Sequence, residues 1–218
     1  MIEAVLFDLD GTLADTAPDL CAALNLLLAE QGNPSLTLEQ ARPYASSGVR
    51  GMLDAGFGMV PGDADYTAFA QRLLKHYERA LCQTTLLFPG IVELLAELDK
   101  LGIRWGIVTN KAQRYTLPLI EALGLRQRCA CIVSGDSSPR LKPHPAPLLL
   151  ACIAAQALPT RSLYVGDDLR DIQAGRAAGV GTVAAAYGYL GIAAPVASWQ
   201  ADAIVAQPGE ILGLLGSA

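Results

Sequence analysis

From Phe88 onward, short apolar segments alternate with helical ones, and that alternation leaves few folds open. The order reads helix 91–101, strand Arg104 to Val108, helix 112–123, strand Ala130 to Ser134, helix 145–155, strand Ser162 to Val165, helix 169–178, strand Gly181 to Ala185 and strand Ala203 to Val205. Strands separated by helical segments of about ten residues form βαβ units, which pair in parallel through crossovers and carry helices on both sheet faces. The chain also opens on such a strand, Ile2 to Phe7, which runs straight into the turn-forming cluster Asp8-Leu9-Asp10-Gly11-Thr12. The expected class is α/β, with a doubly wound, Rossmann-like parallel-sheet core.

Between the first strand and the alternating region the periodicity changes. From Pro18, Leu20, Ala23, Leu24, Leu27 and Leu28 share a helical face, and Gly32-Asn33-Pro34-Ser35 ends the helix. Residues 36–86 hold no convincing strand, whereas Thr37 to Tyr44, Gly51 to Gly56 and Asp65 to Leu81 read as helices separated by Gly, Pro and Ser turns. The organisation expected is a core of residues 1–16 and 88–218 with an α-helical insert at 17–87, and 218 residues are enough to bury both.

Composition narrows the partners. Apolar residues make up 52% and charged residues 17%, far from the disordered class, and the net charge of −5 without a run of Lys or Arg leaves no footprint for nucleic acid or acidic lipid. A small-molecule partner follows. The uncharged stretch Val180 to Gln200 approaches the length of a membrane span, but its glycines, Pro195 and two tyrosines read as strand plus loop. Five cysteines, an odd number without metal-type spacing, and no apolar leader point to a cytoplasmic protein with free thiols, monomeric or homodimeric.

In doubly wound sheets ligands bind beyond the carboxyl ends of the strands. Asp8 and Asp10 end the first strand, Thr109-Asn110 the second, Lys142-Pro143 follows the third, and Gly166-Asp167-Asp168 ends the fourth with Asp171 a turn later. Singly, a strand-end Asp is most often a cap or turn residue. Gathered at one sheet edge, these carboxylates would repel one another unless a cation sat among them, and an oxygen-only donor set suits Mg²⁺. A hydroxyl and a lysine alongside suit phosphate.

Asp8-Leu9-Asp10-Gly11-Thr12, Thr109, Lys142 and Gly166-Asp167-Asp168-Leu169-Arg170-Asp171 resemble, in order and placement, the four signature motifs of the haloacid dehalogenase superfamily, and the helical insert resembles that superfamily's α-helical cap. The resemblance implies that Asp8 attacks phosphorus to form an aspartyl phosphate while Asp10 protonates the leaving oxygen and then activates water. It further implies that Thr109 and the Asn110 amide bind phosphoryl oxygens, that Lys142 offsets charge on Asp8, and that Mg²⁺ is held by Asp8, the Asp10 carbonyl and Asp167, with Asp168 and Asp171 behind them. The Leu9 amide is expected in an anion nest facing the phosphate. In the cap, Ala45-Ser46-Ser47-Gly48-Val49-Arg50 occupies the place of a substrate-facing loop, so Ser47, Gly48 and Arg50 are expected to touch substrate, Arg50 through a second anionic group such as a carboxylate. His144 is placed at the rim or in solvent, His76 is read as structural, and the hinges are expected around Thr16 to Pro18 and Leu86 to Gly90.

A receiver domain, which also gathers acids, Thr and Lys around Mg²⁺, lacks a helical insert between its acidic strands. Dehalogenation is disfavoured by Asp10, and a phosphomutase would return phosphate to the bound intermediate. Within the superfamily the overall resemblance is to phosphoglycolate phosphatases, and Tyr164 to Ile172 together with Tyr187-Gly188-Tyr189 are also similar to N-acetylmuramic acid 6-phosphate phosphatases. The expected reaction is Mg²⁺-dependent hydrolysis of a small phosphorylated metabolite.

Overall fold

The computed structural model describes residues 1–192 and 194–216. In chain order the regular elements are β1 (Ala4–Phe7), β2 (Ala14–Asp15), α1 (Ala17–Glu30), α2 (Leu38–Ala41), α3 (Gly48–Phe57), α4 (Tyr66–Arg79), β3 (Leu86–Leu87), α5 (Ile91–Lys100), β4 (Arg104–Val108), α6 (Gln113–Ala122), β5 (Cys131–Val133), α7 (Ala146–Ala154), β6 (Ser162–Gly166), α8 (Leu169–Ala178), β7 (Gly181–Ala185) and β8 (Ala203–Val205). Six strands form one parallel sheet in the order β5-β4-β1-β6-β7-β8.

β1 is apolar at every position because both of its faces are covered. Val5 and Phe7 point into a cluster with Leu94 and Leu98 of α5 and Leu119 and Ile120 of α6. Ala4 and Leu6 point the other way, toward Leu148 and Ala151 of α7 and Ala174 of α8. From β1 the sheet grows outward through β4 and β5, then resumes on the opposite side with β6, β7 and β8. The strand order therefore reverses at β1, which opens a crevice between the carboxyl ends of β1 and β6.

The insert has its own apolar centre. Leu20, Leu24, Leu27 and Leu28 of α1 meet Met52 and Leu53 of α3 and Leu73 and Tyr77 of α4, and Tyr115 and Tyr189 reach this cluster from outside the insert. The helix expected over 37–44 is instead one α-turn, opened by a Thr37–Gln40 capping box, followed by a 3-10 helix at Arg42–Ser47. Pro43, which lacks an amide hydrogen, sits at the start of that tighter segment. The third helix begins at Gly48, three residues before the expected Gly51.

The chain enters and leaves the insert through a ribbon that the sequence did not suggest: β2 and β3 pair antiparallel, Ala14 with Leu87 and Asp15 with Leu86. Beside it, the buried Asp19 carboxylate in the first turn of α1 accepts hydrogen bonds from the amides of Gln83, Thr84 and Thr85 at 2.9 to 3.2 Å and from the hydroxyls of Thr84 and Thr85 at 2.5 and 2.7 Å. Burial alone would raise the Asp19 carboxyl, but the Thr84 and Thr85 donors outweigh it and hold it below the ordinary carboxylate value. Replacing Asp19 with Ala leaves those donors unpaired and is expected to cost about 2–4 kcal/mol, read as a lower midpoint in urea denaturation. Among the described residues, no helix is long and apolar enough to cross a membrane.

Candidate active site

Asp8 is the first residue past β1. Its amide donates to the Val165 carbonyl at 2.9 Å, which ties the strand end to β6. The next turn is wound tightly, since the Leu9 carbonyl accepts from the amides of Leu13 and Ala14 at 3.1 and 2.9 Å. Gly11 takes φ +85°, and a Cβ there would run into the Asp167 carboxylate, so both the turn and the close approach require glycine. The Leu9 amide does not join an open nest: it donates to Asp8 Oδ1 at 2.7 Å, because the adjacent carboxylate folds back onto it.

Past β6, Asp167 is fully buried, and Asp168 opens α8 with a capping box in which Asp171 accepts from the Asp168 amide. That box turns Asp171 back toward the strand ends. Oxygens of Asp8, Asp167 and Asp171 all lie within 4.8 Å of one another. Lys142, buried, arrives from the loop after β5, its Nζ 2.9 Å from Asp8 Oδ1 and 2.7 Å from Asp171 Oδ1, while also meeting the Val108 carbonyl and the Tyr164 hydroxyl. The Asn110 side chain holds this loop in place, donating to the Lys142 carbonyl at 3.0 Å and accepting from the Lys142 amide at 2.9 Å.

Three carboxylates facing one ammonium leave a local excess of negative charge. Burial pushes the Asp8 carboxyl up to about 7, opposed by the Lys142 ammonium and assisted by Asp171 and Asp10. Burial and the charges of Asp8 and Asp171 push Asp167 well above the ordinary carboxylate value. For Lys142, burial would lower the ammonium, but Asp171 and Asp8 outweigh it and keep it charged. A compact, buried, all-oxygen set with surplus negative charge is the donor chemistry that a small hard dication takes, so the residues present fit Mg²⁺.

The Asp10 carboxylate faces another way. It accepts from the Thr16 hydroxyl at 2.6 Å and from Lys111 Nζ at 2.9 and 3.2 Å, while the same ammonium lies 4.7 Å from the centre of the Tyr77 ring. The side chain clustered with Asp8 and Asp167 is thus that of Asp171 rather than Asp10. Lys111 escaped the sequence reading. Its one signal was a charged residue directly after Thr109-Asn110, and burial, which would lower its ammonium, is outweighed by Asp10 and Tyr77.

A cavity of about 320 Å³ opens over these residues. Asp8, Asp10, Thr109, Asn110, Lys142, Asp168 and Asp171 line it from the sheet side, and Ser47, Gly48 and Arg50 from the insert, while Asp167, fully buried, is not among the lining residues. Thr109 Oγ1 accepts from the Lys111 amide at 3.1 Å. Arg50 is exposed and makes no ion pair among the described residues. Lining residues that were not expected include Tyr77, Lys111, Arg114 and Tyr115, with the Arg114 guanidinium 4.6 Å from the Tyr115 ring centre. His144 is exposed, its Nδ1 accepting from the Ala146 amide, and His76 contacts Glu30 within the insert.

The chain is similar to known proteins along nearly its whole length. The chain is 46% identical over 209 residues to a phosphoglycolate phosphatase of Xanthomonas campestris pv. campestris, covering 95% of this chain and 94% of that one. It is 41% identical over 217 residues to an N-acetylmuramic acid 6-phosphate phosphatase of Pseudomonas putida, covering 100% and 97%. The crystal structure of a predicted phosphoglycolate phosphatase from Haemophilus somnus superposes with a TM-score of 0.85 at 28% identity, covering 98% of this chain and 97% of that one. The sequence profile of the haloacid dehalogenase-like hydrolases runs from residue 5 to residue 185, from β1 through the end of β7, and takes in every one of the four strand ends that build the site; the chain belongs to that family.

Proposed function

We propose that the protein is a Mg²⁺-dependent phosphomonoester hydrolase acting through an aspartyl phosphate on Asp8. The observation that carries this reading is the position of Asp8 at the cavity floor, paired with Lys142 on one side and clustered with Asp167 and Asp171 on the other. An Asp8 oxygen attacks phosphorus and the bond to the leaving oxygen breaks, with Asp10 supplying the proton that the leaving oxygen takes up. Asp10 then accepts a proton from the water that attacks the phosphoryl-Asp8, which frees phosphate and restores both carboxyls. Lys111 and Thr16 hold the Asp10 carboxylate at the side of the cavity between these steps. The Thr109 hydroxyl and the main-chain amide of Asn110 bind phosphoryl oxygens, and Lys142 offsets their charge. Asp8, the Asp10 carbonyl and Asp167 would hold Mg²⁺, with Asp168 and Asp171 behind them. When bound, the ion supplies positive charge beside the transferring group.

Residues 17–87 are taken as a cap that opens on a core of residues 1–16 and 88–218, hinged at the β2–β3 ribbon; residues 193, 217 and 218 lie outside the described residues. The substrate is a small phosphorylated metabolite carrying a carboxylate that Arg50 meets from the cap, with Ser47 and Gly48 beside it. The first reading is 2-phosphoglycolate, supported by the Xanthomonas relative. N-acetylmuramic acid 6-phosphate is the second, favoured by a cavity roomier than a two-carbon acid requires. We place the enzyme in the cytoplasm as a monomer or homodimer, a reading supported by its five free cysteines.

Phosphate release from both compounds, hexose phosphates and nucleotides, with Mg²⁺ or EDTA, tests the reaction, and the highest kcat/KM assigns the substrate. Arg50→Ala should raise KM for that substrate; no release from any of them overturns the reading. A second expected result concerns pH. An unfolded Asp titrates near about 4, so with Asp8 at about 7 the metal-free native state binds the extra proton between those values. Stability contributed by that proton is full below the lower value and is lost as pH rises through the upper one. In EDTA the Tm should therefore fall between roughly pH 5 and pH 8, and Mg²⁺ should raise it more at the higher pH. Asp19, held low, stays ionised across this window and does not contribute to the change. An equal gain from Mg²⁺ at both values would remove the cation from this cluster.

A further inference from the structure

Ser46, the last but one residue of the 3-10 segment Arg42–Ser47, lines the cavity and is bound to the sheet side at two points. Its hydroxyl donates to Asp167 Oδ2 at 3.0 Å. Its carbonyl accepts from Arg170 Nη2 at 2.9 Å, and Arg170 is itself locked by a two-pronged pair with Asp168, Nε to Oδ1 and Nη2 to Oδ2, each 2.8 Å. Asp167 accepts two further bonds, from the Thr12 hydroxyl at 2.9 Å and from the Tyr189 amide at 3.0 Å. Those two donors, like Asp167, lie outside the insert of residues 17–87. Among the described residues, Ser46 is the one residue of the insert bonded to the cluster of Asp8, Asp167 and Asp171.

We propose that Ser46 is a positioning residue that couples closure of the cap to cation binding at the carboxylate cluster. With the cap down, the Ser46 hydroxyl completes a ring of three donors, with the Thr12 hydroxyl and the Tyr189 amide, that fixes the position of the Asp167 carboxylate. With the cap up, Asp167 keeps Thr12 and Tyr189 but loses the third donor, and its carboxylate is less constrained. A cation that binds better to the fixed carboxylate must, by reciprocity, favour the closed cap to the same degree. The ion is then retained while the cavity is shut over substrate, and Arg170 sets how firmly the segment is held without touching the cluster. This inference rests on the Mg²⁺ reading above.

The test is calorimetric titration of Mg²⁺ into the EDTA-stripped full chain, comparing wild type with Ser46→Ala and Ser46→Thr, alongside hydrogen exchange of segment 42–50 with and without Mg²⁺. Coupling of the usual size predicts about tenfold weaker Mg²⁺ binding for Ser46→Ala and near-wild-type binding for Ser46→Thr, which keeps the hydroxyl. Mg²⁺ should slow exchange in 42–50 in wild type and Ser46→Thr but not in Ser46→Ala. Unchanged affinity in Ser46→Ala, or Mg²⁺-dependent protection that survives the loss of the hydroxyl, overturns the coupling while leaving the metal reading intact. A wild type that binds no Mg²⁺ removes the metal reading and the coupling with it.

Discussion

Asp8→Asn is expected to reduce turnover of the best substrate by about 10,000-fold or more, with no matching loss of stability. The amide keeps the shape of the carboxyl but has no anionic oxygen to attack phosphorus, and no other carboxylate is positioned to substitute. Asp171 is held by Lys142 and Tyr164, Asp167 is fully buried and does not line the cavity, and Asp10 faces Thr16 and Lys111. Stability should respond differently from activity. At pH above about 7 the native protein carries a buried charge at Asp8 beside two other carboxylates, so neutralising it relieves repulsion even as Lys142 loses one of its two carboxylate partners. Steady-state assay and thermal denaturation in EDTA at about pH 8 separate the two quantities. A variant that unfolds along with losing activity would mean that Asp8 is chiefly structural, and one that still turns over substrate would exclude the covalent route.

The parts of this arrangement that were legible in the sequence are those written in one stretch of chain. The parallel strands are buried on both faces, so they appear as unbroken apolar runs, and the residues just after them are where the doubly wound topology must put its ligands. That is why Asp8, Asp10, Thr109, Lys142 and Asp167 could be picked out without coordinates. The β2–β3 ribbon could not, because two residues per strand carry no periodicity. The break at Pro43 was visible as a residue, but its consequence, a 3-10 continuation that presents Ser46 to Asp167, depends on how the insert folds back. Lys111 was passed over because its meaning lies in Asp10, 101 positions earlier, and Ser46 because its partner lies 121 positions later. Tyr189 stood in a stretch singled out for its similarity, yet only the fold brings its amide to Asp167 and its hydroxyl to Asp15 and the first amide of α1.

Lys142→Met is the change expected to damage both chemistry and stability, and the two effects should separate with pH. Lys142 is buried, and its ammonium contacts Asp8, Asp171, the Val108 carbonyl and the Tyr164 hydroxyl. Methionine fills most of the volume but brings no charge, so in metal-free protein Asp8, Asp167 and Asp171 remain together without a compensating cation. Breaking a buried pair by removing one partner typically costs about 3–5 kcal/mol, and losing a preorganised cation beside a transferring phosphoryl group costs roughly 100- to 1,000-fold in turnover. The stability loss has a pH signature: below about pH 5 the Asp8 carboxyl, raised to about 7 in wild type, is protonated and needs no partner, and the upward push on Asp167 acts in the same direction, so part of the deficit should disappear. The loss in turnover should not recover at that pH, because a protonated Asp8 cannot attack. Urea denaturation in EDTA at about pH 5 and pH 8, with turnover measured in Mg²⁺ at both, distinguishes this from a lysine that merely fills space, for which the deficit would be the same at the two values.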